Sequence, residues 1–368
     1  MKRNAEFEPA CATDASALLN LIESRPAKGD IELLYTRRPD PIASYARESD
    51  DVSVGVLRDK EGKIWFMEAT VYRDCFMAEN VCRTGYLCGI KQHPNRSARI
   101  DWLRALYDYE SRNADGFYCS ILTGNTTALQ LFTKERAYMP PLQHICDYTT
   151  LLLNPKALLQ KRKKDVGTKM PTACDCSCGV SYNEQKTEIN AFLNSYGKSF
   201  NFFPHVKDIP LQFSGIKDSD MFVLRENNEI VAFAALWDQS EYRQNILTGY
   251  NGSMRILRHF SALSKKLGYI PFPKVGARVH FACLALVCVK DRNLELLGIL
   301  LDAIAKSSIR RGYEVLVYGI PSDSWQTPVW NKIRKVSFGS KLYFTEPRTA
   351  TQPMQFKCKP PHFEVGWL

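Results

Sequence analysis

No apolar run in this chain approaches the roughly 18 residues a membrane-crossing helix requires. Its opening residues, MKRNAEFEPACATD, lack the apolar core and small-residue cleavage site of a secretory signal. A soluble, cytoplasmic protein is therefore the expectation. Also missing are GxSxG, HExxH, GxxxxGK[ST] and GxGxxG, so hydrolase, zinc-protease and nucleotide-triphosphatase chemistry lack their usual scaffolds. No CxxC pair with spaced histidines offers a zinc site. Cys174-x-Cys176-x-Cys178 is the only local cluster, and thiolates two apart on an extended chain stand in a row and surround a tetrahedral ion poorly. That segment is expected to be a β-strand with buried thiols and no metal. The other cysteines, such as Cys88, Cys119, Cys283 and Cys288, sit in apolar runs and are expected to be reduced, mostly core, thiols.

The 368 residues, 45% apolar and 24% charged, are enough for two ordinary cores. The formal charge of +10 favours anionic partners, coenzyme A as much as nucleic acid. The run Lys161-Arg162-Lys163-Lys164 is short enough to be a solvated linker, so nucleic acid is not the expected partner.

The same unit is present twice. Residues 85–124 read as strand (GYLCGIKQHP), helix, strand (GFYCSI) and loop; residues 281–320 repeat the order with FACLALVCVK, a helix from Asp291, and GYEVLVYGI. Arg96 matches Arg292, and Gly116-Phe117 matches Gly312-Tyr313, both at an offset of 196 residues. Each copy follows an early helix (ASALLNLIES; EINAFLNSY) and a hairpin, the first turning at Asp59–Gly62 and the second at Asn227-Asn228. The hairpins match at an offset of 167 (Val56-Leu57-Arg58-Asp59 against Val223-Leu224-Arg225-Glu226), so the second copy carries 29 additional residues before its central strand. An amphipathic helical insertion near 250–276 accounts for them. The expected division is 1–155, a linker at 156–171, and 172–368.

Helix, hairpin, central strand running into a helix, then strand, loop and short helix is an order that resembles the GNAT N-acetyltransferase superfamily, here in tandem. The resemblance implies an α/β fold of two GNAT-like domains, each a mixed, mostly antiparallel sheet flanked by helices. It implies an N-acyltransferase moving an acetyl or other acyl group from acyl-CoA to a small-molecule or peptide amine. In such proteins a Q/R-x-x-G-x-G/A loop wraps the pyrophosphate with backbone N–H groups at a helix N-terminus. The matching stretch here is Arg96-Ser97-Ala98-Arg99-Ile100-Asp101, which keeps the first arginine but has Arg99 and Asp101 where small residues belong; Arg292-Asn293-Leu294-Glu295 keeps only the arginine. Arg96, Ser97, Ala98, Arg99 and Asn125, which opens the next helix, are the implied cofactor contacts. Backbone N–H groups near Gly89, Ile90 and Lys91 would polarise the thioester carbonyl. Glu68 and His93 are the candidate general bases, and Asp238 and Tyr250 the candidate acceptor contacts. The position where the superfamily carries a tyrosine acid looks like Phe132, which cannot donate a proton. The alternative is a non-catalytic duplication that binds a ligand or partner, in keeping with the degenerate loops.

Overall fold

The computed structural model describes residues 6–26, 29–94, 102–110, 114–135, 142–159, 174–261, 268–347 and 358–368. In the first half, β3 (Val52–Arg58) and β4 (Ile64–Met77) form the hairpin at Asp59–Gly62. A second tight turn, at Ala78–Glu79, leads from β4 into the central strand β5 (Asn80–Gln92). The helix Trp102–Glu110 and β6 (Gly116–Leu122) follow. In the second half β9 (Met221–Glu226), β10 (Glu229–Trp237), β12 (Phe281–Val289), the helix Leu294–Arg310 and β13 (Val315–Pro321) repeat this order. β5 and β6 pair in parallel, as do β12 and β13; the hairpins are antiparallel.

All of these strands belong to one 12-stranded sheet. Its middle is an exchange: β14 (Lys335–Thr345), from the second half, pairs with β6 of the first, and β7 (Gln143–Leu153), from the first, pairs with β13 of the second. β7 and β14 then pair with each other. The edges are β1 (Glu8–Pro9) and β8 (Cys174–Cys178). A separate two-stranded ribbon joins β2 (Ile31–Thr36) to β11 (Gln244–Tyr250), again linking the halves.

The local causes are ordinary. Every residue of β12 is buried, because helices cover both faces of the sheet there; an unbroken apolar strand results instead of an alternating one. The helix Leu294–Arg310 places Leu296, Leu297, Leu300, Leu301 and Ile304 inward, each stabilising the core by about 1.5–3 kcal/mol. On the first half, Leu18, Leu21 and Ile22 of the helix Ala15–Glu23 pack on Met67, Ala69 and Val71 of β4. The helix Trp102–Glu110 covers the other face through Leu103 and Leu106. β8 does form a strand, but at the sheet edge: Cys178 is exposed and Cys176 half-buried, so the expected burial of that cluster is corrected. The expected linker lies mostly outside the described residues. Between β10 and β12 lie β11 and a short helix, Met254–Leu257.

Candidate functional site

Both central strands bulge and then part from their parallel neighbours. Along β5 the register with β4 steps from Cys88 to Lys91 while β4 advances only from Ala69 to Met67. Gly89 and Ile90 thus face the single residue Glu68, and Gly89 has φ +60°, a conformation natural to glycine. Pairing of β5 with β6 stops at Tyr86, leaving residues 87–92 with no strand partner on that side. The second half repeats the device. β12 steps from Cys288 to Ala285 against Phe233 and Ala235 of β10, Leu286 has φ +53°, and pairing with β13 ends at Cys283. A bulge of this kind re-aims backbone N–H groups out of the ladder.

The two clefts differ in what fills them. In the first, residues 87–94 are all half-buried. In the second, the segment 363–368 packs in: Trp367 joins the core beneath β12, and the Glu364 carboxylate accepts the Leu286 N–H at 3.1 Å. His362 lies 3.0 Å from the same carboxylate. The Leu286 N–H at this bulge is therefore already taken by Glu364. The helix N-terminus beyond it is also closed, because Asn293 Oδ1 accepts the N–H groups of Glu295 and Leu296 and Glu295 adds negative charge where a pyrophosphate would sit. Nearby is a cavity of about 440 Å³ lined by Arg292, Phe200, Trp325 and His362 of this half and by Asp147 of β7, among others.

Beside the first bulge lies a buried ionic cluster that sequence reading missed. Glu48 is ion-paired to Arg37 (2.5 Å) and Arg73 (3.1 Å), with Arg243 at 3.8 Å. Burial alone would raise the Glu48 pKa, but Arg37, Arg243 and Arg73 outweigh it and hold the carboxyl below its ordinary range. Arg37 also stacks on Tyr45 at 3.6 Å, and a Cβ at Gly89 would overlap Tyr45 Oη. Arg243 reaches across to the carbonyls of Gly366 and Leu368. Cys88, just before the bulge, has its thiol pushed up to about 12, by burial first and by Glu48 second; it is not a nucleophile at neutral pH. Lys91, just after it, is lowered by burial and by Arg25.

The expected site residues fall as follows. Gly89 and Ile90 form the bulge itself, and Lys91 follows it, paired with Met67. Glu68 stands opposite it on β4, fully buried, accepting a hydrogen bond from Thr70 Oγ1 at 3.1 Å. Gly55 leaves the room Glu68 needs, since a Cβ there would meet Glu68 Oε1 at 2.7 Å and Phe7 at 2.9 Å. His93, half-buried, ends the strand with its N–H on the Trp65 carbonyl. Asn125 caps the helix Thr126–Thr133 through Ala128 N–H, and Phe132 is core. Arg96, Ser97, Ala98 and Arg99 lie outside the described residues. Asp238 and Tyr250 have separate partners: Asp238 accepts from Tyr313 Oη and Ser240 N–H, whereas Tyr250 donates to the Pro273 carbonyl. His280 is exposed and lies against Tyr313.

No family model matches this sequence, and no curated protein is significantly similar to it. Solved structures do match its shape. N-myristoyltransferase of Saccharomyces cerevisiae with bound myristoyl-CoA superposes with a TM-score of 0.55 at 11% identity, covering 94% of this chain and 85% of that one. A second structure of that enzyme with myristoyl-CoA gives 0.57 at 10%, covering 94% and 80%. A probable N-acyltransferase from Enterococcus faecalis gives 0.52 at 4%, covering 94% and 73%. At these identities the likeness speaks to architecture, and it agrees with the paired bulged strands: the chain has the tandem GNAT fold, its two α/β halves sharing one sheet.

Proposed function

We propose that the chain is an acyl-CoA-dependent N-acyltransferase whose working cleft is the one between β5 and β6. The observation that carries this is the asymmetry of the two bulges: at the second, Glu364 accepts the Leu286 N–H and Trp367 packs into the core beneath it, while the first has glycine at its positive-φ position and keeps residues 87–94 half-buried rather than buried. The thioester would lie along residues 87–92 with its carbonyl oxygen toward the bulge N–H groups. Attack by a neutral amine forms the C–N bond and expels the CoA thiolate, and the N–H groups stabilise the developing oxyanion. Arg96, Ser97, Ala98, Arg99 and Asn125 would hold the cofactor. Glu68 or His93 would take the ammonium proton, and no side chain at Phe132 supplies one to the thiolate. The acceptor is an amine, small or peptidic; Asp238 and Tyr250 would reach it after exchanging their bonds to Tyr313 and Pro273. For the second half the non-catalytic reading is favoured, by the Asn293 cap and the Glu364 contact.

The test is calorimetric titration with acetyl-CoA, with longer acyl-CoAs and with CoA, using the whole chain and an Arg96→Glu variant. Micromolar binding abolished by the substitution is expected, and the preferred chain length reads out the acyl donor. Absence of binding to every ligand would leave only the non-catalytic duplication.

A further inference from the structure

Where the first half joins β4 to β5 through Ala78–Glu79 alone, the second half runs through residues 238–280 between β10 and β12. This extra segment is unlike the rest of the surface in two ways. Of the eleven exposed large hydrophobic side chains among the described residues, five belong to it: Ile256, Leu257, Phe260, Tyr269 and Val275. Among its described residues from Met254 to His280 there is also no aspartate or glutamate, but four basic residues, Arg255, Arg258, Lys274 and Arg278.

The segment is built, and it holds its apolar residues outward. Met254 and Arg258, one turn apart, are half-buried against the body, with the Arg258 guanidinium 6.0 Å from the Tyr250 ring. Ser261 Oγ accepts the Phe272 N–H at 3.0 Å, and residues 276–279 return along β11 by bonds to Leu247 and Asn245. On the opposite face Ile256, Leu257 and Phe260 fall at i, i+1 and i+4, exposed by 67%, 43% and 55%. Arg255 and His259 flank them, also exposed. The nearest acidic groups from another element, Asp30 and Glu32, sit at the base, bonded to Asn251 through the Asp30 carbonyl and the Glu32 carboxylate.

We propose that this projection docks the protein onto an anionic lipid surface. Arginines attract phosphate-bearing headgroups at long range. Three large aliphatic and aromatic side chains on one short face then enter the headgroup–acyl boundary, the arrangement of an interfacial helix lying in the membrane plane. A nucleic acid would also satisfy the charge, but it gives Ile256 and Leu257 nothing to bury against. No part of this depends on the acyl-transfer reading.

The experiment is co-sedimentation of the full chain with phosphatidylcholine vesicles, with and without phosphatidylserine, at low and high salt. The protein is expected to sediment with the anionic vesicles only, less so at high salt. An Ile256→Glu, Phe260→Glu variant, altered at exposed positions and checked for unchanged thermal unfolding, should bind at least about tenfold more weakly. Equal binding to both vesicle types, no binding to either, or full binding by the double variant would overturn the proposal. Tighter binding to single-stranded polynucleotide that the double variant retains would make the surface a nucleic-acid site instead.

Discussion

Glu48 is one carboxylate among three guanidiniums, in a place where water does not reach. Its side chain is 1% exposed, those of Arg37 and Arg73 3% and 6%. Removing one partner from such a cluster leaves charges uncompensated in low dielectric, which outweighs the loss of the pair itself. Glu48→Gln should therefore destabilise the fold by about 3–5 kcal/mol at neutral pH, measured by denaturant unfolding. The pH dependence has a definite sign. Because the folded carboxyl titrates below its unfolded value of 4.5, its stabilisation is complete above that value and is lost as pH falls through the lower, folded one. The gap between wild type and Glu48→Gln should accordingly narrow in acid; a gap constant down to pH ~3 would mean that Glu48 is not the ionised centre of this cluster. None of its four members stood out in the sequence. Each is a common charged residue far from the others, and only the fold of β2, β4 and β11 brings them together.

The bulge is the unit of interest among the elements. That β5 and β12 are strands followed by helices was legible from apolar runs and their repetition at 196 residues. That each strand bulges was not, because a bulge is a property of register against the neighbouring hairpin. Gly89 hinted at it, but Leu286 could not, being an ordinary core residue in composition. Leu286 holds its left-handed conformation with the Glu364 carboxylate bonded to its N–H. Gly89→Ala should consequently be damaging twice over. The positive φ costs about 1–2 kcal/mol for a residue with a Cβ, and the new methyl overlaps Tyr45 Oη, so the strand must shift. If the bulge N–H groups polarise a thioester, acyl-transfer turnover should fall about 10²–10³-fold, the effect of losing one oxyanion donor. Adding Tyr45→Phe should recover part of the stability by removing the overlap while leaving turnover low. Turnover unaffected by Gly89→Ala would detach catalysis from this strand.

At the scale of the whole molecule, the exchange of β7 and β14 decides how the protein behaves. The duplication invites a picture of two domains, each with its own sheet, and the order of elements within each half was legible from hairpins and central strands. Which strand pairs with which across the middle was not, since the partner of a terminal strand is a contact between residues far more than 100 positions apart, invisible to local periodicity. β7 is hydrogen-bonded to β13 from Tyr148 to Leu153 and to β14 over most of its length. Ser44 Oγ bonds the Tyr242 carbonyl at 2.6 Å, and the Gln244 side chain bonds both backbone groups of Arg38. Neither half can therefore complete its sheet alone: residues 174–368 without the first half would expose the edge of β13 and leave β14 with no strand on either side, a ready template for aggregation. Calorimetry of the whole chain should then show a single transition with calorimetric and van't Hoff enthalpies in agreement, despite a length at which independent domains are common. The fragment 174–368, expressed by itself, should be insoluble or lack fixed tertiary structure. Two resolved transitions, or a fragment giving a dispersed amide spectrum with strand protection in β13, would show that each half is stable without its exchanged strand and that the continuous sheet joins two finished domains.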